Sequence, residues 1–411
     1  MTDRDRSPSF DAGPTPDEKS VVLVTGATGF LGRYLMRDLS RHGVPMAVLV
    51  RPGRRADARQ RVEAMRRFWK QHAGDHVPLP KVLSGDILSE NLGLSSDERQ
   101  WVAENVGSVL HNAASLSFVS TGRQAEPWRS NIDGTQNVLD VCRDAAIRRF
   151  HHVSTAYIAG TRRGRIYEHE TNVGQEFGNC YEESKLLAEE QVRGMLADGG
   201  LEQLTVFRPG IIVGDSRTGF VSTFHHVYSA LQMAHVLADS LGRWDHTGRM
   251  NASNVRIPMT GRERKHLVPV DWVSECMARV IADPTLHGQT YHLTPRCAIE
   301  MRVLRDMIEE SIGYYGIDLE VPEPGTPPRS EAEALFMQQQ EVYESYWNDD
   351  PLFDTTNIRE ALPDLPCPHV DRTMMLRMAD TAIEMGFRFA DPKPERAADP
   401  YEQAAEEAVA S

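Results

Sequence analysis

From Val21 to about Thr294, short apolar runs alternate with longer stretches in which apolar residues recur at helical spacing. The runs are Val21–Val24, Met46–Val50, Lys81–Ile87, Ser108–Ala114, Arg149–Ala156, Leu204–Gly210 and Gln289–Thr294. They are short, rich in Val and Leu and apolar on both faces, as strands buried in a parallel sheet must be. Phe30–His42, Ala58–Gln71, Asn131–Ala146 and Tyr181–Leu196 read as helices between them. Strand–helix alternation predicts an α/β fold, a doubly wound parallel sheet of Rossmann type. After Met301 the pattern changes. Helical stretches at Val303–Ile312, Arg329–Trp347 and Val370–Met385, broken by proline-rich turns at Val321–Pro328 and Pro363–Pro368, predict a smaller, mainly helical C-terminal lobe. The expected boundaries are a disordered leader at 1–20, the main α/β domain at 21–300 with lobe insertions around 215–265, the helical lobe at 301–390 and an acidic flexible tail at 391–411. The segment Glu320–Asn348 carries no motif, and no repeat is visible.

Composition narrows the classes. The 411 residues carry 45 Lys and Arg against 59 Asp and Glu, a formal charge of −14. That balance argues against a sequence-independent nucleic-acid binder and against anionic membrane surfaces, while leaving room for a local basic site. The five cysteines are scattered, with no CxxC, HExxH or Cys/His cluster, so neither a disulfide framework nor a metal site is expected. No uninterrupted apolar run reaches the roughly 18 residues of a membrane span, and the polar first twenty residues lack the apolar core of a signal peptide. A cytoplasmic protein is expected. The pattern leaves the oligomeric state open.

The sharpest local signal is VTGATGFLGRYL. Gly26, Gly29 and Gly32 follow the first strand directly and open a helix, the context in which glycines let a dinucleotide pyrophosphate approach the helix N-terminus. Gly26, Thr28, Gly29, Phe30, Leu31 and Gly32 are therefore candidate cofactor residues. After the second strand the chain reads VLVRPGRR, with Arg51 where an NAD site would place a carboxylate. Arg51, with Arg33 as a second candidate, predicts a 2′-phosphate site and hence NADPH; the basic stretch Arg54–Lys70 reads as a solvated face or as contacts for a CoA or phosphopantetheine phosphate.

Tyr181 and Lys185, spaced i and i+4, share one helix face. An ammonium there is expected to lower the phenol pKa from about 10 so that it exchanges a proton near neutrality. Ser154 and Thr155 end the preceding strand, where a hydroxyl can steady a carbonyl oxygen. Asn112 at the tip of the fourth strand and Asn131 at the start of the next helix add weight.

Taken together, TGATGFLG, GDI, HNAA, NIDGT, VSTAY, YEESK, FRPG and HLVPVDWV occur over Val21–Thr294 in the order of the extended, or atypical, short-chain dehydrogenase/reductases, which the chain resembles. The resemblance implies that Asp86 with Ile87 contacts the adenine, and that Asn112, Ala113 and Ala114 line the cofactor groove with Asn131 beside them. It further implies that Pro209 and Gly210 lie beside the nicotinamide, and that Thr155, Tyr181 and Lys185 form the catalytic set, the last two also touching the cofactor. LVR after the second strand, VSTAY, HLVPVDWV and FDTTNIREAL resemble the thioester reductase and fatty acyl-CoA reductase branch, with its male-sterility-type NAD-binding domain. The implied activity is NADPH-dependent reduction of an acyl thioester, carried by CoA or an acyl-carrier protein, to an aldehyde and optionally an alcohol.

Three alternatives stand beside it: a sugar-nucleotide epimerase or dehydratase, a hydroxysteroid-type dehydrogenase, and a non-catalytic NADPH-binding module. No adenylation or carrier segment is recognisable, so the thioester is expected to arrive from outside. Phe224, Val227, Tyr228, Leu231 and His235 recur at helical spacing and read either as a packing face or as the wall of an acyl pocket. His225 and His226 are not expected to be ligands. Arg162, Arg163 and Arg165 read as a solvated loop or as contacts for a CoA or phosphopantetheine phosphate. No cysteine is placed for a covalent acyl-enzyme.

Overall fold

A computed structural model describes residues 19–225, 227–241, 250–251, 255–340 and 348–391. The expected leader up to residue 18, His226, residues 341–347 of the motif-free segment and the tail from 392 lie outside the described residues.

The chain alternates as predicted. β1 (Val21–Thr25) leads into α1 (Phe30–Arg41), β2 (Met46–Val50) into α2 (Ala58–Ala73), and β3 (Lys81–Ser84) through α3 (Ser96–Asn105) into β4 (Val106–His111). α4 (Gly134–Asp144) is entered through a single wide helical turn at Arg129–Asp133, and is followed by β5 (Arg149–Val153), the two-residue β6 (Arg165–Ile166) and α5 (Cys180–Ala197). Next come β7 (Gln203–Pro209), β8 (Ile211–Val213) and α6 (Val227–Leu241), then short strands β9 (Met250–Asn251), β10 (Arg256–Ile257), β11 (Arg264–Lys265) and β12 (Leu267–Pro269). α7 (Val270–Ala282) and β13 (Thr290–Leu293) complete the α/β part. The lobe continues with β14 (Ile299–Glu300), α8 (Met301–Ile312), β15 (Tyr314–Tyr315), β16 (Asp318–Leu319), α9 (Glu331–Gln340), β17 (Leu352–Phe353), α10 (Thr356–Ala361) and α11 (Arg372–Glu384).

All seven strand runs enter one parallel sheet, in the order β13–β7–β5–β4–β1–β2–β3. Both faces are covered, which is why these strands carry little polar alternation. Leu35, Leu39, Val48, Phe68, Val273 and Met277 bury one face under α1, α2 and α7. Leu23, Val109, Val138, Phe150 and Val192 bury the other. The strand order reverses between β1 and β4, opening a crevice at their C-terminal ends.

Helix ends follow local chemistry. Asp57 and Gln60 form a capping box on α2, Ser95 and Glu98 one on α3, and the Asn179 side chain accepts from the Glu182 amide to start α5. The sequence of α3, SDERQWVAEN, buries only Val102 and has no apolar stripe, so periodicity does not reveal it.

A buried ion pair joins α5 to the sheet. Arg208 on β7 donates to Glu189 at 2.6 and 3.1 Å, and both side chains are fully buried. Arg193 adds a third bond to the same carboxylate at 2.9 Å, and Arg208 also donates to the Glu168 carbonyl at 3.2 Å.

The lobe is tied back to the sheet at several points. β8 pairs with β12, β6 with β17 and β11 with β14. Ahead of β17, Asp349 receives a two-pronged bond from Arg264 at 3.0 and 2.6 Å, while Asp350 accepts from Lys265 at 2.7 Å and from the Tyr157 hydroxyl at 2.6 Å. Beyond α11 the chain returns to α1: Asp391 pairs with Arg33 at 3.1 Å, and the Arg33 guanidinium lies 4.5 Å from the ring centre of Phe389 and 5.3 Å from that of Phe68. α6, α8 and α11 share a separate apolar core that includes Tyr228, Leu231, Leu304, Met307, Met375 and Met378.

Candidate active site

The crevice is a cleft of about 510 Å³ running from the end of β2 past the β1–α1 turn to the start of α6. Gly26 holds φ +69°, and a Cβ there would meet the Ala113 backbone nitrogen at 2.7 Å; Gly32 packs so closely that a Cβ would sit 2.1 Å from the Gly26 carbonyl oxygen. The turn thus brings the α1 N-terminus against the loop after β4. Gly29 caps α1 with no side-chain acceptor, and the first turn holds no acid. Gly29, Phe30 and Leu31 line the cleft, so the amides of that first turn, which lack intrahelical acceptors, face the cleft. This is a fitting cradle for a pyrophosphate.

Of the residues singled out for the cofactor, Gly26, Thr28, Gly29, Phe30, Leu31, Arg51, Asp86, Ile87, Asn112, Ala113, Ala114, Pro209 and Gly210 all line the cleft. Gly32 contributes by packing beneath it. Two expectations are corrected. Arg33 does not reach the cleft: it is buried behind α1, paired with Asp391 and covered by Phe68 and Phe389. Asn131 is also buried, and its side chain is committed to Ser115, through bonds of 2.8 and 3.1 Å, and to the Ser184 hydroxyl at 2.9 Å. From the wide turn before α4 it ties the loop over the cleft to α5; it positions the site without lining it.

The residue that the basic stretch Arg54–Lys70 brings to the outer end is Arg61. One turn into α2, it donates to the Thr28 hydroxyl at 2.9 Å and to the Arg51 carbonyl, and it lines the cleft beside the exposed Arg51. Burial, and then the nearby Arg51 charge, lower its pKa. Two guanidiniums converge here, with Asp86 3.8 Å from Arg51 and the Asp391 charge opposing the shift at Arg61. The signal for Arg61 was its place four residues after the capping Asp57, which turns it back toward the strand ends.

Thr155, Tyr181 and Lys185 meet at the inner end, where all three line the cleft. The Tyr181 phenol shares a hydrogen bond with Thr155, selecting that hydroxyl over the adjacent Ser154. Lys185 donates to the Val153 carbonyl at 2.6 Å. The expected lowering of the phenol pKa is not realised in the free protein. Withdrawal from water pushes Tyr181 up to about 12, against which the Thr155 bond pulls only partly. Burial also brings Lys185 down to about 8, with Glu189 opposing. Tyr181 is therefore a protonated acid at neutral pH, beside a lysine that titrates just above it. Nearby His111 is held neutral by burial, down to about 3, and bridges Thr25 at 2.8 Å and Thr135 at 3.1 Å.

Beyond Tyr181 the wall is formed by Tyr157, Ile211, Ile212, Thr223, His225 and Tyr228. His225, set aside in the sequence, stands in this wall just before α6. Tyr157 was unremarked because a residue two after Thr155 reads as an ordinary turn position. Among the described residues no group of three or more His, Cys, Asp or Glu could hold a metal ion, and no helix is long and apolar enough to cross a membrane.

Residues 24–277 match the family model described as male sterility protein, an NAD-binding family. The nonribosomal peptide synthetase asaC of Aspergillus flavus is 26% identical over 385 residues, covering 85% of this chain and 35% of its own length. The chain thus spans about a third of that relative, and much the same share of other fungal relatives. The terminal R domain of the myxalamid PKS-NRPS pathway has the same fold, with a TM-score of 0.70 at 24% identity over 93% of this chain and 94% of that one. The fold is shared as well with UDP-glucose 4-epimerase of Bifidobacterium longum, at a TM-score of 0.61 and 19% identity over 90% and 100%. With well over half its length matched, the chain belongs to the male sterility protein family, within the NAD(P)-binding extended short-chain dehydrogenase/reductases.

Proposed function

We propose that this protein is an NADPH-dependent reductase of acyl thioesters that releases an aldehyde. The reading is carried by one contrast along the cleft. Its outer end gathers Arg51 and Arg61, whereas the substrate end beyond Tyr181 is walled by Ile211, Ile212, Thr223, Tyr157 and Tyr228, with His225 as the one basic residue in that wall among the described residues. A sugar nucleotide needs cations for its diphosphate on the substrate side; an acyl chain needs an apolar wall.

The first-turn amides of α1 would hold the pyrophosphate of the dinucleotide, and Arg51 with Arg61 its 2′-phosphate. NADPH, when bound, supplies the hydride. Thr155 and Tyr181 receive the thioester carbonyl oxygen, and their hydrogen bonds strengthen as that oxygen gains negative charge. Tyr181 then gives it the phenolic proton, and the Lys185 ammonium stabilises the phenolate left behind. The hemithioacetal collapses to thiol and aldehyde.

Incubation with NADPH and a panel of acyl-CoA thioesters should oxidise the cofactor and yield the aldehyde or its alcohol by mass spectrometry. Interconversion of UDP-sugars without net cofactor consumption would overturn the reading in favour of the epimerase alternative. Arg51→Ala and Arg61→Ala are each expected to raise the KM for NADPH about tenfold, the worth of one charge-assisted bond, and to leave NADH almost unchanged. Equal effects on both cofactors would remove the 2′-phosphate assignment. The pH profile follows from Lys185. With Tyr181 protonated throughout, kcat/KM should be flat below neutrality and fall as pH rises through about 8, where Lys185 loses its charge. A rate that climbs through that range would contradict the role given to the ammonium.

A further inference from the structure

Tyr228 belongs to two cavities at once. Its ring forms part of the cleft wall beyond Tyr181, and it also lines a second gap between α6, α8 and α11. The ring is held in place: the Gly214 amide donates to its hydroxyl at 2.9 Å, Phe224 meets it edge-on at 6.1 Å, and only 5% of the residue is exposed. The gap behind it measures about 10 Å³, space for no more than a single water, and is walled by Leu231, Met307, Ile308, Met375 and Met378.

An acyl chain extending from the carbonyl site at Tyr181 along this wall would meet the ring, behind which the described residues leave only that small gap. Resting on the thioester reading, we propose that Tyr228 is the floor of the acyl site and restricts the enzyme to short acyl groups. The methionine-lined gap is its latent extension. Methionine is unbranched and repacks readily, so removal of the ring would join cleft and gap into one lipophilic channel between the helices. A residue needed only for packing would, when truncated, weaken turnover of all chain lengths alike. A floor, when removed, reverses their order.

The test is a series of acyl-CoA thioesters from acetyl to dodecanoyl, run on the wild-type protein, Tyr228→Ala and Tyr228→Leu, with thermal melting and NADPH binding measured on each. Wild-type kcat/KM should drop steeply beyond the short chains. Both variants should raise the dodecanoyl-to-butanoyl ratio of kcat/KM at least about tenfold, since a single methylene accommodated or refused in an apolar pocket is worth roughly that much. A wild-type enzyme that reduces dodecanoyl-CoA as well as butanoyl-CoA overturns the proposal, whether or not the variants fold. So does a folded, NADPH-binding variant with the wild-type ratio. If wild-type protein binds NADPH yet reduces no acyl-CoA of any length, the thioester reading itself fails and takes the floor with it.

Discussion

Tyr181→Phe is expected to lower kcat about a thousandfold, the usual contribution of a well-placed general acid, while NADPH still binds. The side chain keeps its ring, which packs edge-on at 5.8 Å from Phe118, and loses only the hydroxyl shared with Thr155. Two other protic groups lining the cleft are committed elsewhere. Lys185 is turned to the Val153 carbonyl, and the Tyr157 proton is directed at Asp350. Steady-state kinetics with an acyl-CoA, together with a fluorescence titration of NADPH, separate loss of chemistry from loss of binding. Turnover within a few-fold of wild type would move the acid role from Tyr181 to Thr155.

The second large effect falls on stability. Arg208→Met leaves the fully buried Glu189 with the partly exposed Arg193 and the Lys185 charge to balance it. Breaking such a pair from one side costs about 3–5 kcal/mol, read from urea unfolding curves. Replacing both partners, as in Arg208→Met with Glu189→Leu, should recover most of the loss, because two apolar side chains need no compensation. A double variant as unstable as the single one would show that Arg208 acts through Glu168 instead. The pH dependence has a definite sign. Burial alone would raise the Glu189 carboxyl, but Arg208, followed by Arg193, more than offsets it and holds the pKa well below the ordinary value. A depressed folded pKa contributes stability above the unfolded value, and that stability is lost as pH falls. The gap between wild type and Arg208→Met should therefore be full above about pH 5 and shrink on acidification.

Much of the fold was legible because the parallel sheet is buried on both faces, which makes each strand an unbroken apolar run. The glycine turn and the Tyr181–Lys185 spacing were legible for a related reason: one turn of backbone fixes their geometry. What escaped depends on contacts between distant segments. α3 has a capping box but no apolar stripe. Arg33 follows the glycine loop directly, yet helical rotation carries it to the far side of α1, where Asp391 receives it. Arg61 lies further along the chain, and the same rotation in α2 returns it to the cleft. Asn131 was assigned to the cofactor, but its amide bridges Ser115 and Ser184, partners 16 and 53 residues away. The phenol pKa went the wrong way because spacing alone says nothing about how far a ring is withdrawn from water.

The Arg33–Asp391 contact also bears on how the protein is made. α1 leaves the ribosome well before its partner residue Asp391, which lies 358 positions after Arg33. Until then the Arg33 guanidinium has no counter-charge and lacks the Phe389 ring that covers it, so burying it early would strand a cation. The nucleotide-binding half can pair its strands during synthesis, in the order they emerge. Its first helix, however, reaches its final packing only once translation has passed residue 391. The packing of the first helix is thus closed by a residue 358 positions further along the chain.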